Sequence, residues 1–222
     1  MGATGGFPID LVLFGMIAAF LVLRLRSILG KRTGFERPQE PAQAGPGTRA
    51  APPGRTIDAV VETVPVRVMP DVASPAGTVL AQMARIGRGF DPSHFLEGAE
   101  AAFRMIVTAF AAGNRDTLRP LLSPDTFAAF DGAISARDAA GHKQQTEIRA
   151  MPTAAIDHAE LSGSMAAITV RFVTDQVNVT LGSDGLPVAG ADAVTEITDL
   201  WTFERDLASG DPTWRLVAAR SA

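Results

Sequence analysis

Three histidines, His94, His142 and His158, with no cysteine and no tyrosine, bound the chemistry open to this chain of 222 residues. Without cysteine there is no thiol nucleophile, disulfide or thiolate metal ligand. The histidines stand far apart, and no two have the spacing of a zinc pair, so no metal site is expected. No GxGxxG, P-loop, GxSxG or HExxH occurs, and no cofactor or catalytic residue is assigned. His94 falls in the first turn of an expected helix, and His158 stands beside Asp157 on an expected strand. Neither has a nucleophile or orienting partner in its motif, so both read as surface or satisfied side chains.

Asp199 is the carboxylate best placed for chemistry. It shares strand parity with Ile197, Trp201 and Phe203. An inward Asp199 in an apolar cavity would have a raised pKa and could serve as a general base. The favoured reading is plainer: a sheet-edge position, or a pair with a cation such as Arg215 on the next strand. Phe103, Asp199, Trp201 and Phe203 are the expected lining of any pocket. The aromatic members read first as core, although a concave sheet lined with Phe and Trp could also accept an apolar ligand. Gly185 and Gly190 read as a turn between strands.

Helical elements come first. Val79, Leu80, Met83 and Ile86 make one face of a helix starting near Pro75, flanked by Arg85 and Arg88. Asp91-Pro92 is an N-cap followed by proline at the first helical position, and Phe95, Ala99, Phe103, Ile106 and Phe110 continue at helical spacing to Gly113. A short helical piece is expected at 117–122. Ser123-Pro124-Asp125 repeats the cap and opens a helix with Phe127, Phe130 and Ile134 inward, closed by Gly141. After that the period becomes two. Residues 151–161 read as the first strand, and Ile168, Val170 and Phe172 alternate in the next. The apolar set then moves to Val177, Val179 and Leu181, so a bulge or bend is expected near Thr174 to Gln176. Trp214, Leu216 and Ala218 are in phase on the last strand. Helices grouped before an antiparallel sheet indicate an α+β domain.

Upstream, Phe7 to Leu23 read FPIDLVLFGMIAAFLVL, apolar on every side from Leu11 onward. At 1.5 Å rise this gives about 26 Å, near the lower limit for a hydrocarbon core. No Lys or Arg precedes the run, which argues against a cleaved signal peptide. Arg24, Arg26, Lys31, Arg32 and Arg37 follow it, so the positive-inside rule predicts the N-terminus outside and the rest in the cytoplasm. Residues 38–56 are rich in proline and glycine and read as a tether, and 57–73 as mostly extended or disordered. The expected division is a transmembrane anchor at 1–30, a basic and Pro/Gly-rich linker at 31–74, and one domain at 75–222. The overall charge of −4 conceals a gradient. Residues 1–90 carry 10 Lys+Arg and 6 Asp+Glu, and residues 91–222 carry 10 and 18. An acidic folded part is unsuited to phosphate backbones, so no nucleic-acid partner and no ribosome contact is expected.

Four stretches carry a family resemblance: LRLRSILGKRTGFERP, FLEGAEAAFRMIVTAFAAGNRDTLRPLLSPDTFAAFDGAI, ITVRFVTDQ and VTEITDLWTFERDLASGDPTWRLVAAR. In order, spacing and character the chain resembles the Tim-forty-four-like family, including its bacterial TimA-type members. The Trp-x-Phe-x-Arg-Asp stretch and the terminal Trp-Arg-Leu-Val are the more specific pieces. The resemblance implies a cone-shaped α+β fold of the nuclear-transport-factor-two-like kind, with helices on a curved antiparallel sheet. It also implies a membrane-associated adaptor and not an enzyme; the mitochondrial member tethers a heat-shock chaperone to an import channel. This chain departs from that member in having its own expected anchor and no long charged chaperone-binding region.

The expected function is therefore a membrane-tethered adaptor at a bacterial inner membrane, with anionic membrane lipids and an unidentified protein as partners. The five membrane-proximal cations would meet anionic headgroups, each worth about 1 kcal/mol close to the surface. The alternative is a small apolar-ligand carrier or enzyme using the pocket of the cone, for instance through Asp199 and His158.

Overall fold

The structure is a computed structural model that describes residues 65–222 apart from Arg88. The expected anchor, the basic residues Arg24, Arg26, Lys31, Arg32 and Arg37, and most of the linker lie outside the described residues, as does Arg88. Among the described residues no helix is long and apolar enough to cross a membrane.

The elements in chain order are β1 (Val66–Val68), α1 (Pro75–Ile86), α2 (Pro92–Ala112), α3 (Arg115–Leu118), α4 (Pro124–Ala139), β2 (Lys143–Ser162), β3 (Met165–Leu181), β4 (Pro187–Asp206) and β5 (Arg215–Ser221). Local chemistry sets the helix starts. Ser74, Asp91 and Ser123 are N-caps whose side chains accept from Gly77 N, His94 N and Thr126 N, each ahead of a proline in the first turn. Gly113 ends α2 in the left-handed region at φ 70°. Leu80 and Met83 of α1 are buried as expected, but Ile86, the last residue of that helix, runs past the core and is 47% exposed. The short helix before Ser123 is Arg115–Leu118, slightly earlier than its expected place.

The five strands lie in sequence order, with β1 parallel to β2 and the other pairs antiparallel. The strand Val66–Val68 falls in a segment that the sequence pattern assigned to the linker. Strand β2 begins at Lys143, well before the expected 151, because Gln144, Thr146 and Ile148 already alternate in burial with exposed neighbours. Register places Ala159, Ile168 and Phe203 in one row, then Ile156, Val170 and Trp201, then Ala154, Phe172 and Asp199. Directly opposed residues share a face. Every member of these rows except Asp199 belongs to the buried cluster that also takes in Leu80 and Met83 of α1, Phe95, Phe103 and Ile106 of α2, and Ile134 of α4. This row-bearing face is the helix-covered one.

The expected break in β3 is found on its neighbours. Register slips between Ile148 and Ala150 and between Ala150 and Thr153 on β2, and Asp192 to Val194 of β4 bulge opposite Val177. Strand β3 itself keeps its parity, so Thr174 and Gln176 stay buried on the helix-covered face. Buried polar groups need partners, and here they form a ladder. Gln176 Nε2 donates to Thr174 Oγ1 at 2.7 Å, Asn178 Nδ2 to Gln176 Oε1 at 3.1 Å, and Thr146 Oγ1 to Asn178 Oδ1 at 2.6 Å. Arg137 of α4 closes the ladder, donating to Gln144 Oε1 at 2.7 Å and to the Phe110 carbonyl at 3.0 Å. Val177, Val179 and Leu181 consequently point to the face without helices. On β5 a register shift at Val217 changes the phase: Leu216 is fully buried, Ala218 is exposed, and Ala219 packs on the core instead.

Candidate functional site

The aromatic positions expected around a pocket come together on the helix-covered face. Phe103 rises from the middle of α2, Phe172 from β3, and Trp201 and Phe203 from β4. The Phe103 ring centroid is 4.6 Å from that of Phe172 and 4.5 Å from that of Trp201. Phe95 of α2 extends the set, with its centroid 6.1 Å from Phe203 and 4.6 Å from Trp214. Phe103 is 0%, Phe203 1% and Trp201 6% exposed. Such tilted and edge-to-face contacts are favourable beyond the area they bury.

Asp199 continues the same face one row beyond Trp201. It opposes Phe172 on β3 and Ser221 on β5, and accepts a hydrogen bond from Ser221 Oγ at 3.0 Å. Burial among these neighbours disfavours the carboxylate and pushes its pKa up to about 6, against the lowering effect of the Ser221 hydroxyl. The group can therefore exchange a proton near neutrality. Its expected cationic neighbour is elsewhere: Arg215 opposes Glu204 and donates to Asp211 Oδ2 at 3.1 Å.

Strand parity separates Asp199 from the second candidate. His158 opposes Thr169, whose hydroxyl meets that of Thr202 on the helix-free face, and His158 Nε2 lies 2.9 Å from Glu160 Oε1. His158 and His94 are both exposed, and His94 makes only a 3.9 Å approach to Glu97. Among the described residues no three His, Asp or Glu side chains group as metal ligands would.

Two cavities lie at the corner between the start of α4 and β5. One of about 250 Å³ is bordered by Ser123, Met165, Arg205 and Asp211, and one of about 350 Å³ by Arg119, Leu122 and Phe127. Phe103, Asp199, Trp201 and Phe203 border neither. Arg119 lies 4.3 Å over the Phe127 ring, and both line the second.

Sequence reasoning passed over two features. The first is Arg67 on β1, whose guanidinium donates to Glu100 and Glu97 of α2 at 2.7 and 2.9 Å. The alternation of Val66 and Val68 around it was the available signal. The second is the outer half of the helix-free face. There, beside the apolar set Val177, Val179 and Leu181 that the sequence did show, Asp175 stands directly opposite Glu196 of β4.

A family model described as Tim44-like domain matches residues 76–221. No curated protein matches the chain. Among solved structures, the chain is similar to one titled "Crystal structure of intermembrane space region of chloroplast protein ARC6". That likeness has 10% identity and a TM-score of 0.40, over 56% of this chain and 94% of that one.

Proposed function

The chain belongs to the Tim44-like domain family, and on that premise we propose that it is a membrane-tethered adaptor of the bacterial TimA type. In this reading the apolar segment at 1–30 anchors it in the inner membrane, and residues 31–74 link that anchor to a cytoplasmic domain. The domain is the cone-shaped, nuclear-transport-factor-two-like form of the α+β fold, and it presents its surface to a protein partner. Arg24, Arg26, Lys31, Arg32 and Arg37 contact anionic headgroups.

One observation carries the reading. The sheet face that would receive a substrate in a catalytic member of such a fold is occupied by Phe103, Phe172, Trp201 and Phe203, in ring-to-ring contact and buried. A site needs an open concavity with converging polar groups. Asp199 has Ser221 as its hydrogen-bond partner, and His158 lies across the sheet. A face filled this way supports the domain and leaves recognition to its exterior. The second reading, an apolar-ligand carrier or enzyme, is favoured by the raised pKa of Asp199 alone.

The test is fractionation and photo-crosslinking in intact membranes, with the whole chain and with a chain lacking residues 1–30. The adaptor reading expects the whole chain in the membrane fraction and the shortened chain in the soluble one, with the same protein crosslinked by both. Retention of the shortened chain on membranes in high salt would overturn the anchor. A small molecule copurifying with the protein, without any crosslinked protein, would establish the carrier instead.

A further inference from the structure

The sheet has two faces, and helices cover one. On the other, the central strand carries Val177, Val179 and Leu181 at alternate positions over about 14 Å, with Val179 buried and Val177 and Leu181 half-buried. Val188 and Val194 on the adjoining strand are 52% and 58% exposed. Carboxylates border this stripe on the β4 side, while on the β2 side Lys143 stands opposite Leu181, and Glu147, paired with Arg149, stands opposite Val177. Asp175 and Glu196 occupy directly opposed positions on β3 and β4, and Asp192 sits in the bulge of β4. Among the described residues none of the three forms an ion pair. Like charges directly opposed across a ladder destabilise a sheet. Places where a sequence works against its own fold are commonly functional.

We propose that this helix-free stripe, bordered by Asp175, Asp192 and Glu196, is the docking surface for a partner-protein segment in which Lys or Arg alternate with apolar side chains. The apolar residues cover Val177 and Leu181, and the cations neutralise the opposed carboxylates. Charge decides the occupant. An anionic lipid surface would be repelled by the border. A second copy of the chain brings a folded part with 10 Lys+Arg against 18 Asp+Glu over residues 91–222, adding carboxylates in place of the cations the border calls for. The proposal rests on the adaptor reading and names the chemistry of its partner.

The probe is a short synthetic peptide of alternating Leu and Lys, titrated against the full chain by fluorescence anisotropy, with a Leu/Glu peptide and anionic vesicles as competitors. The Leu/Lys peptide should bind and weaken with salt, and neither competitor should displace it. The double variant D175N/E196Q should bind it about 3- to 10-fold more weakly while melting at a higher temperature than the parent. That opposite response separates a docking role from simple unfolding. Equal affinity in the variant, binding of the Leu/Glu peptide, or displacement by vesicles would overturn the proposal. A photo-reactive side chain at position 177, compared with one at the exposed Met105 of α2, distinguishes the two levels of failure. Protein crosslinks from position 105 alone would end this docking surface and leave the adaptor standing. Crosslinks from neither would end both.

Discussion

Arg67 on the short first strand reaches across to α2, its Nε 2.7 Å from Glu100 Oε1 and its Nη1 2.9 Å from Glu97 Oε1. This one side chain fastens the entering chain to both layers of the fold, because β1 also pairs with Thr153 to Ala155 of β2. The Glu100 side chain is only 9% exposed, so its charge depends on Arg67 for compensation.

Arg67→Ala should therefore destabilise the domain by about 1–2 kcal/mol, held to the low end of the buried-pair range by the partial exposure of Arg67. Glu97→Ala, at the exposed arm of the same fork, should cost under about 0.5 kcal/mol. Adding Glu100→Gln to Arg67→Ala should recover part of the loss. Urea titrations of the four chains check the order.

Asp199 gives a pH dependence of definite sign. Its folded pKa of about 6 lies above the ordinary carboxylate value of 3.8. The folded state thus holds the proton more tightly, and stability from this group falls as pH rises from about 4 to 6. Asp199→Asn, which can still accept from Ser221, should raise stability by about 1–2 kcal/mol near neutral pH and by almost nothing near pH 4. A gain of equal size at both pH values would show that burial of the charge is not its cause.

Gly190 sits inside β4 at φ 78°, and a Cβ there would come within 2.2 Å of the Asn178 carbonyl oxygen. Gly190→Ala combines a disfavoured backbone region with a backbone collision, so a loss of about 2 kcal/mol or more is expected. Because Gly190 pairs with Val179, the loss should appear in hydrogen exchange first at the outer ends of β3 and β4. Unchanged protection there would refute the assignment.

Phe103 touches both Phe172 and Trp201 with no exposure of its own. Phe103→Ala should cost about 3–5 kcal/mol and open an apolar cavity. Addition of a small apolar probe such as benzene should restore part of that stability in the variant and none in the parent. Stabilisation of the parent would show that the aromatic face already opens to ligands, and would favour the carrier reading.

The helices were legible in the sequence because their signals are local. Asp91-Pro92 and Ser123-Pro124 announce their own helix starts, and the spacing of Phe95, Phe103 and Ile106 names the buried stripe. The alternation of Ile168, Val170 and Phe172 did the same for the inner half of the sheet. The outer half was misread in part because alternation marks only which residues are apolar. From Val177 onward the apolar side chains take the helix-free face, and Thr174, Gln176 and Asn178 hold the inner one through their ladder. The phase change at Val217 and the pairing of β1 escaped for the related reason that bulges and parallel contacts depend on a neighbouring strand.

By itself, then, the sequence determined the α+β class, the order of the elements from α1 onward, the helix caps and the split between a basic segment at 1–90 and an acidic remainder. Each follows from residue type and short-range spacing. Only the tertiary structure decided which face Asp199 and His158 occupy, that Arg67 clamps β1 to α2, and that Asp175 meets Glu196. Those relations are set by register between strands distant in sequence, where a shift of one residue sends a side chain to the opposite face.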